Sequence, residues 1–156
     1  MRIRRAQASD LGQLRAMSEA VAGAAHWTEQ QWLDIFATET LHTEHPLRLA
    51  WIAEEGAGVD ARGVGFLVVQ SSGSDWELEN IAVLPDCRRQ KAGLGLVAAL
   101  LAEARTRRAE RILLEVRASN AGAIRFYHVS GFQELARRCE YYLNPPEDAL
   151  IMVHGL

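Results

Sequence analysis

The stretch from Glu79 to Phe132 does most to limit how this chain can fold. From Ile81 to Leu84 every residue is apolar, as in a strand buried on both faces. A basic, glycine-containing turn follows, Arg88-Arg89-Gln90-Lys91-Ala92-Gly93-Leu94-Gly95. A helix is then predicted from about Ala92 to Arg108, with Leu94, Val97, Leu101 and Ala104 on one face. Ile112 to Val116 reads as strand again. Strand, helix and strand joined by short connections make a right-handed crossover, so the strands at Ile81 and Ile112 are expected to run parallel.

The flanks extend this unit. Met1 to Gln7 is predicted as a short edge strand. Ser9 or Asp10 caps a helix whose apolar side is Leu11, Leu14, Met17 and Val21, closed by Gly23. Thr28 and Gln31 form a capping-box pattern for a second helix carrying Trp32, Ile35 and Phe36. Strands are expected at Leu47 to Glu54 and Val64 to Gln70. Apolar and polar residues alternate from Trp76 to Glu79, ahead of the wholly apolar run. That change predicts a strand half exposed at its start, with a bulge near Asn80. Ser119 or Asn120 opens a helix ending at Gly131, and strands are expected at Gln133 to Leu143 and Ala149 to His154. The pattern describes an α/β (α+β) fold with a mixed sheet, a single domain over residues 1–156.

Composition narrows the function classes. A formal charge of −3 argues against direct nucleic-acid binding, which normally needs a basic surplus, while leaving a basic peptide open as substrate. Two cysteines, Cys87 and Cys139, are too few for a disulfide framework and fit a reducing compartment. No apolar run reaches membrane-span length, so no membrane partner is expected and the expected location is cytoplasmic. His42, Glu44 and His45 lie close together, but two histidines without further partners read as solvent-exposed, and no metal is expected. His128 reads as structural, and neither cysteine has the partners of a thiol nucleophile.

The turn before the predicted long helix offers free amides, a helix dipole and flanking cations, which together suit a pyrophosphate. A solvated basic turn ahead of a surface helix is the competing reading. The turn is not a nucleotide P-loop, since no Gly-Lys-Ser/Thr ends it, nor does it spell the dinucleotide fingerprint. Downstream, Glu115 interrupts the apolar run Ile112 to Val116. Desolvation there would favour uptake of a proton, which suits a general base, whereas a strand-end glutamate facing water is the plainer alternative. Glu77 and Glu79 are rivals on the preceding strand. Asn120, Ala123, Ile124 and Tyr127 share one helical face, and Tyr127 reads either as a proton donor or as a core residue beside Phe126.

The glycine turn resembles the core of the GNAT acetyltransferases, whose signature is Arg or Gln, two residues, Gly, one residue, then Gly or Ala. Several further runs resemble the ribosomal-protein-alanine N-acetyltransferase branch of that family. They are Asn80-Ile81-Ala82-Val83, Leu114-Glu115-Val116-Arg117-Ala118-Ser119-Asn120, Tyr127 with Gly131-Phe132, Tyr141-Tyr142, and Glu147-Asp148-Ala149-Leu150-Ile151-Met152. Without gaps, Arg88 takes the signature's first place and Gly93 its last. Lys91 then stands where the family has its first glycine, and is expected to donate its amide from a helical conformation. The branch usually shows two arginines shortly before its tyrosine pair; here Arg138 is followed by Cys139.

The resemblance implies a mixed, mostly antiparallel sheet of six to seven strands with a central parallel pair and about four helices. It implies acetyl-CoA as cosubstrate and direct acetyl transfer to an α-amino group, with Glu115 as base and Tyr127 as acid. Cofactor contacts fall on Ile81, Ala82, Val83, Arg88, Arg89, Gln90, Lys91, Ala92, Gly93, Leu94 and Asn120. Tyr141, Tyr142 and Glu147 would meet the acceptor, the N-terminus of a basic protein, a small-subunit ribosomal protein in that branch. Two alternatives stay open: a catalytically weak acetyl-CoA sensor, motivated by Lys91, and transfer to a small amine or a lysine side chain.

Overall fold

Apolar runs of short period become strands here, and runs of helical period become helices. The computed structural model describes residues 1–37 and 47–156, so the His42, Glu44 and His45 cluster lies outside the described residues. In chain order the elements are β1 (Arg2–Arg5), α1 (Leu11–Glu19), α2 (Glu29–Ala37), β2 (Leu47–Glu55), β3 (Arg62–Ser72) and β4 (Asp75–Val83). They continue with α3 (Ala92–Thr106), β5 (Arg111–Arg117), α4 (Ala121–Val129), β6 (Gln133–Leu143) and β7 (Pro146–Gly155). The strands form one seven-stranded sheet in the order β1-β2-β3-β4-β5-β7-β6. Only β4 and β5 pair parallel; the other neighbours are antiparallel. This is the mixed sheet with a central parallel pair that the crossover required.

Strand alternation divides the core into two layers. Leu49, Trp51, Trp76, Leu78, Ile112, Leu114 and Met152 pack with α3 and with Tyr127 of α4. Ala50, Ile52, Phe66, Val68 and Ala82 pack instead with Leu14 and Met17 of α1 and Trp32 and Ile35 of α2. The sheet therefore has an α1/α2 face and an α3/α4 face.

The capping box of α2 forms as expected: Thr28 N–H donates to Gln31 Oε1 at 2.8 Å, and Gln31 N–H donates to Thr28 Oγ1 at 3.3 Å. The entry to α1 differs from expectation. Neither Ser9 nor Asp10 caps it through a side chain; a 3₁₀ turn leads in, and the Asp10 carboxylate binds the Gln7 N–H at 2.8 Å and Arg4 at 2.7 Å. The buried face of α3 is also rotated from the predicted one. Ala92, Leu96, Val97, Leu100 and Ala104 are buried, whereas Leu94 is 39% exposed. The helix is apolar on most sides, so spacing alone did not single out one stripe.

Candidate active site

The parallel ladder between β4 and β5 is short. It pairs Asp75 with Arg111, Trp76 with Ile112 and Glu77 with Leu113, and stops. Each strand continues beyond that point on its outer side: β4 pairs with β3 as far as Val83, and β5 pairs with β7 as far as Arg117. The inner edges beyond Glu77 and Leu113 thus separate, leaving main-chain groups without strand partners. A bulge in the β3–β4 ladder drives β4 away, since Val68 pairs with Asn80 but Val69 pairs with Leu78, making Glu79 the extra residue. The predicted bulge is therefore present, one residue before Asn80.

The turn after β4 opens α3. Lys91 is its N-cap at φ 66° and ψ 8°, and Arg89 is also left-handed at φ 64°. Lys91 is thus left-handed rather than helical as expected, in the backbone region that suits the glycine of the resembling signature. The first helical bond runs from Gly95 N–H to the Lys91 carbonyl at 2.9 Å, so the amides of Ala92, Gly93 and Leu94 have no acceptor within the helix. Arg88 folds back toward β4, its Nε donating to the Val83 carbonyl at 3.4 Å. Gly93 is held against Phe126, whose ring carbons would lie 3.1 Å from an added Cβ.

Glu115 lies on β5 between Leu114 and Val116, which pack beneath α3 and α4. Alternation turns it to the α1/α2 face, where Glu77 also points, between Trp76 and Leu78. Glu115 is not isolated among apolar side chains. Arg138 of β6 pairs with its Oε1 at 2.9 Å, and Glu115 is the chief cause that raises the pKa of the neighbouring Tyr141. Glu79 is bound in bidentate fashion by Arg48, at 2.8 and 3.0 Å. Glu77 makes no ion pair among the described residues. Partial desolvation, followed by the negative charges of Glu79 and Glu115, raises its pKa above the ordinary carboxylate range.

Tyr127 approaches from the other face. It is 7% exposed, stacked edge-on against Phe132, and its hydroxyl has no hydrogen-bond partner among the described residues. Burial raises its pKa, with Tyr142 adding to the effect, so the phenol stays protonated and able to donate. Tyr142 in turn feels Glu115. Tyr142 thus lies within electrostatic reach of both Tyr127 and Glu115. Asn120 caps α4, its Oδ1 accepting from Ala123 N–H at 3.1 Å, while its NH₂ group has no hydrogen-bond partner among the described residues.

Glu147 is already engaged. Its carboxylate accepts from Ser119 N–H at 2.6 Å and pairs with Arg117 at 3.3 Å, while the Arg117 guanidinium lies 4.0 Å above the Tyr142 ring. These contacts tie the β6–β7 hairpin to the end of β5. Sequence reasoning did not pick out Arg138 as a partner of Glu115, or Asn80 as a buried side chain. No group of three potential metal ligands occurs among the described residues, and no helix there is long and apolar enough to cross a membrane.

Comparison with known proteins agrees with this fold. The model of the acetyltransferase (GNAT) family matches residues 14–132. The ribosomal protein bS18-alanine N-acetyltransferase of Salmonella typhimurium is 42% identical over 95 residues, covering 60% of this chain and 64% of that protein. The match to such curated relatives thus spans less than two thirds of their length. The crystal structure of the ribosomal-protein-S18-alanine N-acetyltransferase from Escherichia coli superposes with a TM-score of 0.78 at 30% identity, over 99% of this chain and 92% of that one. Arabidopsis thaliana NAA60 in complex with acetyl-CoA shares the fold, with a TM-score of 0.83 at 15% identity over 99% of this chain and 98% of its own.

Proposed function

We propose, for a chain that belongs to the acetyltransferase (GNAT) family, that it transfers acetyl from acetyl-CoA to the N-terminal amine of a protein. The acceptor favoured by the named relatives is a small-subunit ribosomal protein, with alanine at its N-terminus. The observation that carries the reading is the separated end of β4 and β5, with Glu115 on one face and, on the other, the Tyr127 hydroxyl, which has no hydrogen-bond partner among the described residues.

The residues fit the cosubstrate. The free amides of Ala92, Gly93 and Leu94, flanked by Arg88, Arg89 and Lys91, suit a pyrophosphate. Gln90 completes that turn, and the inner edge of β4 at Ile81, Ala82 and Val83, with the Asn120 amide, suits a linear chain bearing amide groups. Acetyl-CoA supplies the activated thioester. Glu115 receives a proton from the acceptor amine, whose pKa of about 8 asks only for a modest base. Tyr127 donates a hydrogen bond to the departing sulfur, stabilising the charge that develops there. Of the two protons lost by an acceptor ammonium, one finishes on the CoA thiol and one in solvent. Tyr141 and Tyr142 line the acceptor side, and Glu147 acts there by fixing the hairpin that carries them.

The test is thiol release from acetyl-CoA with peptides beginning in Ala, Ser or Met, and with an acetyl-blocked peptide containing lysine. Free termini should react and the blocked peptide should not. Glu115→Gln should lower kcat by about 10²-fold or more while leaving the acetyl-CoA Kd unchanged. A blocked peptide that reacts as well as a free one would remove the N-terminal assignment, and a wild-type protein without turnover would favour the sensor.

A further inference from the structure

Asn80 is the buried polar side chain at this site that nothing among the described residues satisfies. It is 4% exposed, and its Nδ2 makes no hydrogen bond to them. Native folds seldom leave a buried donor unpaired, because the lost hydration is not replaced. The residue follows the bulge at Glu79, beyond the last β4–β5 pair. Its strand partner Val68 and its neighbour along the strand, Ala82, both pack beneath α1 and α2. Alternation therefore turns the carboxamide to the face that carries Glu77 and Glu115, not to the face of α3 and Tyr127.

We propose that Asn80 binds the acceptor, donating from Nδ2 to the first backbone carbonyl of the incoming chain. The inference rests on the reading that the acceptor is a protein N-terminus. In such a terminus the carbonyl carbon is two bonds from the reacting nitrogen. A donor at Asn80 thus fixes the amine against the Glu77 and Glu115 carboxylates while the carbonyl occupies the orphaned N–H. A lysine ε-amine or a polyamine has methylene groups at that place. Binding it leaves Asn80 unpaired, and a site built around a hydrogen bond rejects the analogue that lacks it. Asn80 is in this way the group that separates chain termini from other amines. A donor serving the thioester carbonyl instead would assist every acceptor equally, which gives the test its contrast.

Steady-state kinetics compare a peptide beginning with alanine against its analogue with an alkene in place of the first peptide bond. The proteins are wild type, Asn80→Ala and Asn80→Ser, with acetyl-CoA affinity measured by calorimetry. Asn80→Ala should lower kcat/KM for the peptide about tenfold, chiefly through KM. It should leave the alkene analogue and the acetyl-CoA Kd unchanged. Its Tm should not fall, since the group removed was unpaired, and Asn80→Ser should recover part of the peptide activity. Equal loss on both acceptors, or loss on neither, overturns the proposal while leaving the proposed activity standing. A wild-type protein that acetylates no free terminus overturns both.

Discussion

Replacing Lys91 by glycine should stabilise the protein, and the sign of the effect tests the geometry of the cofactor turn. Lys91 stands at φ 66° at the N-cap of α3. A side chain with a Cβ in the left-handed region costs roughly 1–2 kcal/mol relative to the ordinary helical region, a cost glycine escapes. Glycine also widens the unfolded ensemble, which returns about 0.4–1 kcal/mol of that gain. The net expectation is about 0.5–1 kcal/mol of added stability, or a rise in Tm of about 1–4 °C for a chain of this size. Were Lys91 right-handed, as the sequence alone suggested, the same change would cost about 1 kcal/mol and lower Tm. Thermal and urea unfolding of Lys91→Gly and Lys91→Ala separate the two cases, because alanine keeps the Cβ and should stay close to wild type. The amides of Ala92, Gly93 and Leu94 survive both changes. Lys91→Gly should therefore still bind acetyl-CoA, weakened severalfold at low salt by loss of the ammonium and converging on wild type at high salt. A lower Tm for the glycine variant would refute the left-handed cap and the account of the turn built on it.

Two further outcomes follow from the site. Tyr127→Phe should keep its Tm within about 2 °C of wild type, because the hydroxyl it removes has no partner among the described residues, yet lose about 10²-fold in kcat; unchanged kcat would take the acid role from this residue. Glu77→Gln should be more stable than wild type at pH 7 to 8. Desolvation, then Glu79 and Glu115, raise the Glu77 pKa in the folded protein, so the fold holds that proton more tightly than the unfolded chain does. Wild-type stability therefore falls as pH climbs from the ordinary carboxylate range through the raised value, and glutamine removes that loss. The gap in urea midpoints should close by about pH 4, and a gap independent of pH would contradict the assignment.

What the sequence revealed and what it concealed divide along a physical line. The α2 capping box and the bulge beside Asn80 are written in residues a few positions apart, where local chemistry decides, and the parallel crossover follows from the order of strand, helix and strand. The stripe on α3 was misread because leucine, valine and alanine surround that helix, so burial was settled by the sheet beneath it. The partner of Glu115 was hidden for a different reason. Arg138 reaches it from β6 across β7, and the β6–β7 register slips between Glu134 and Ala136 and again between Arg138 and Tyr142. The first slip adds one residue to β6 and so changes which face the following side chains present, so no spacing rule applied to β6 could have aimed Arg138 at Glu115. The same holds for Asn80: the alternation of β4 located the bulge, but an unsatisfied carboxamide exists only once its neighbours are known. Glu115 must then work beside a guanidinium rather than in an apolar pocket. On the proposed reading an arriving ammonium would compete with Arg138 for the carboxylate, while Glu77, which has no ion pair among the described residues, would add negative charge on the same face.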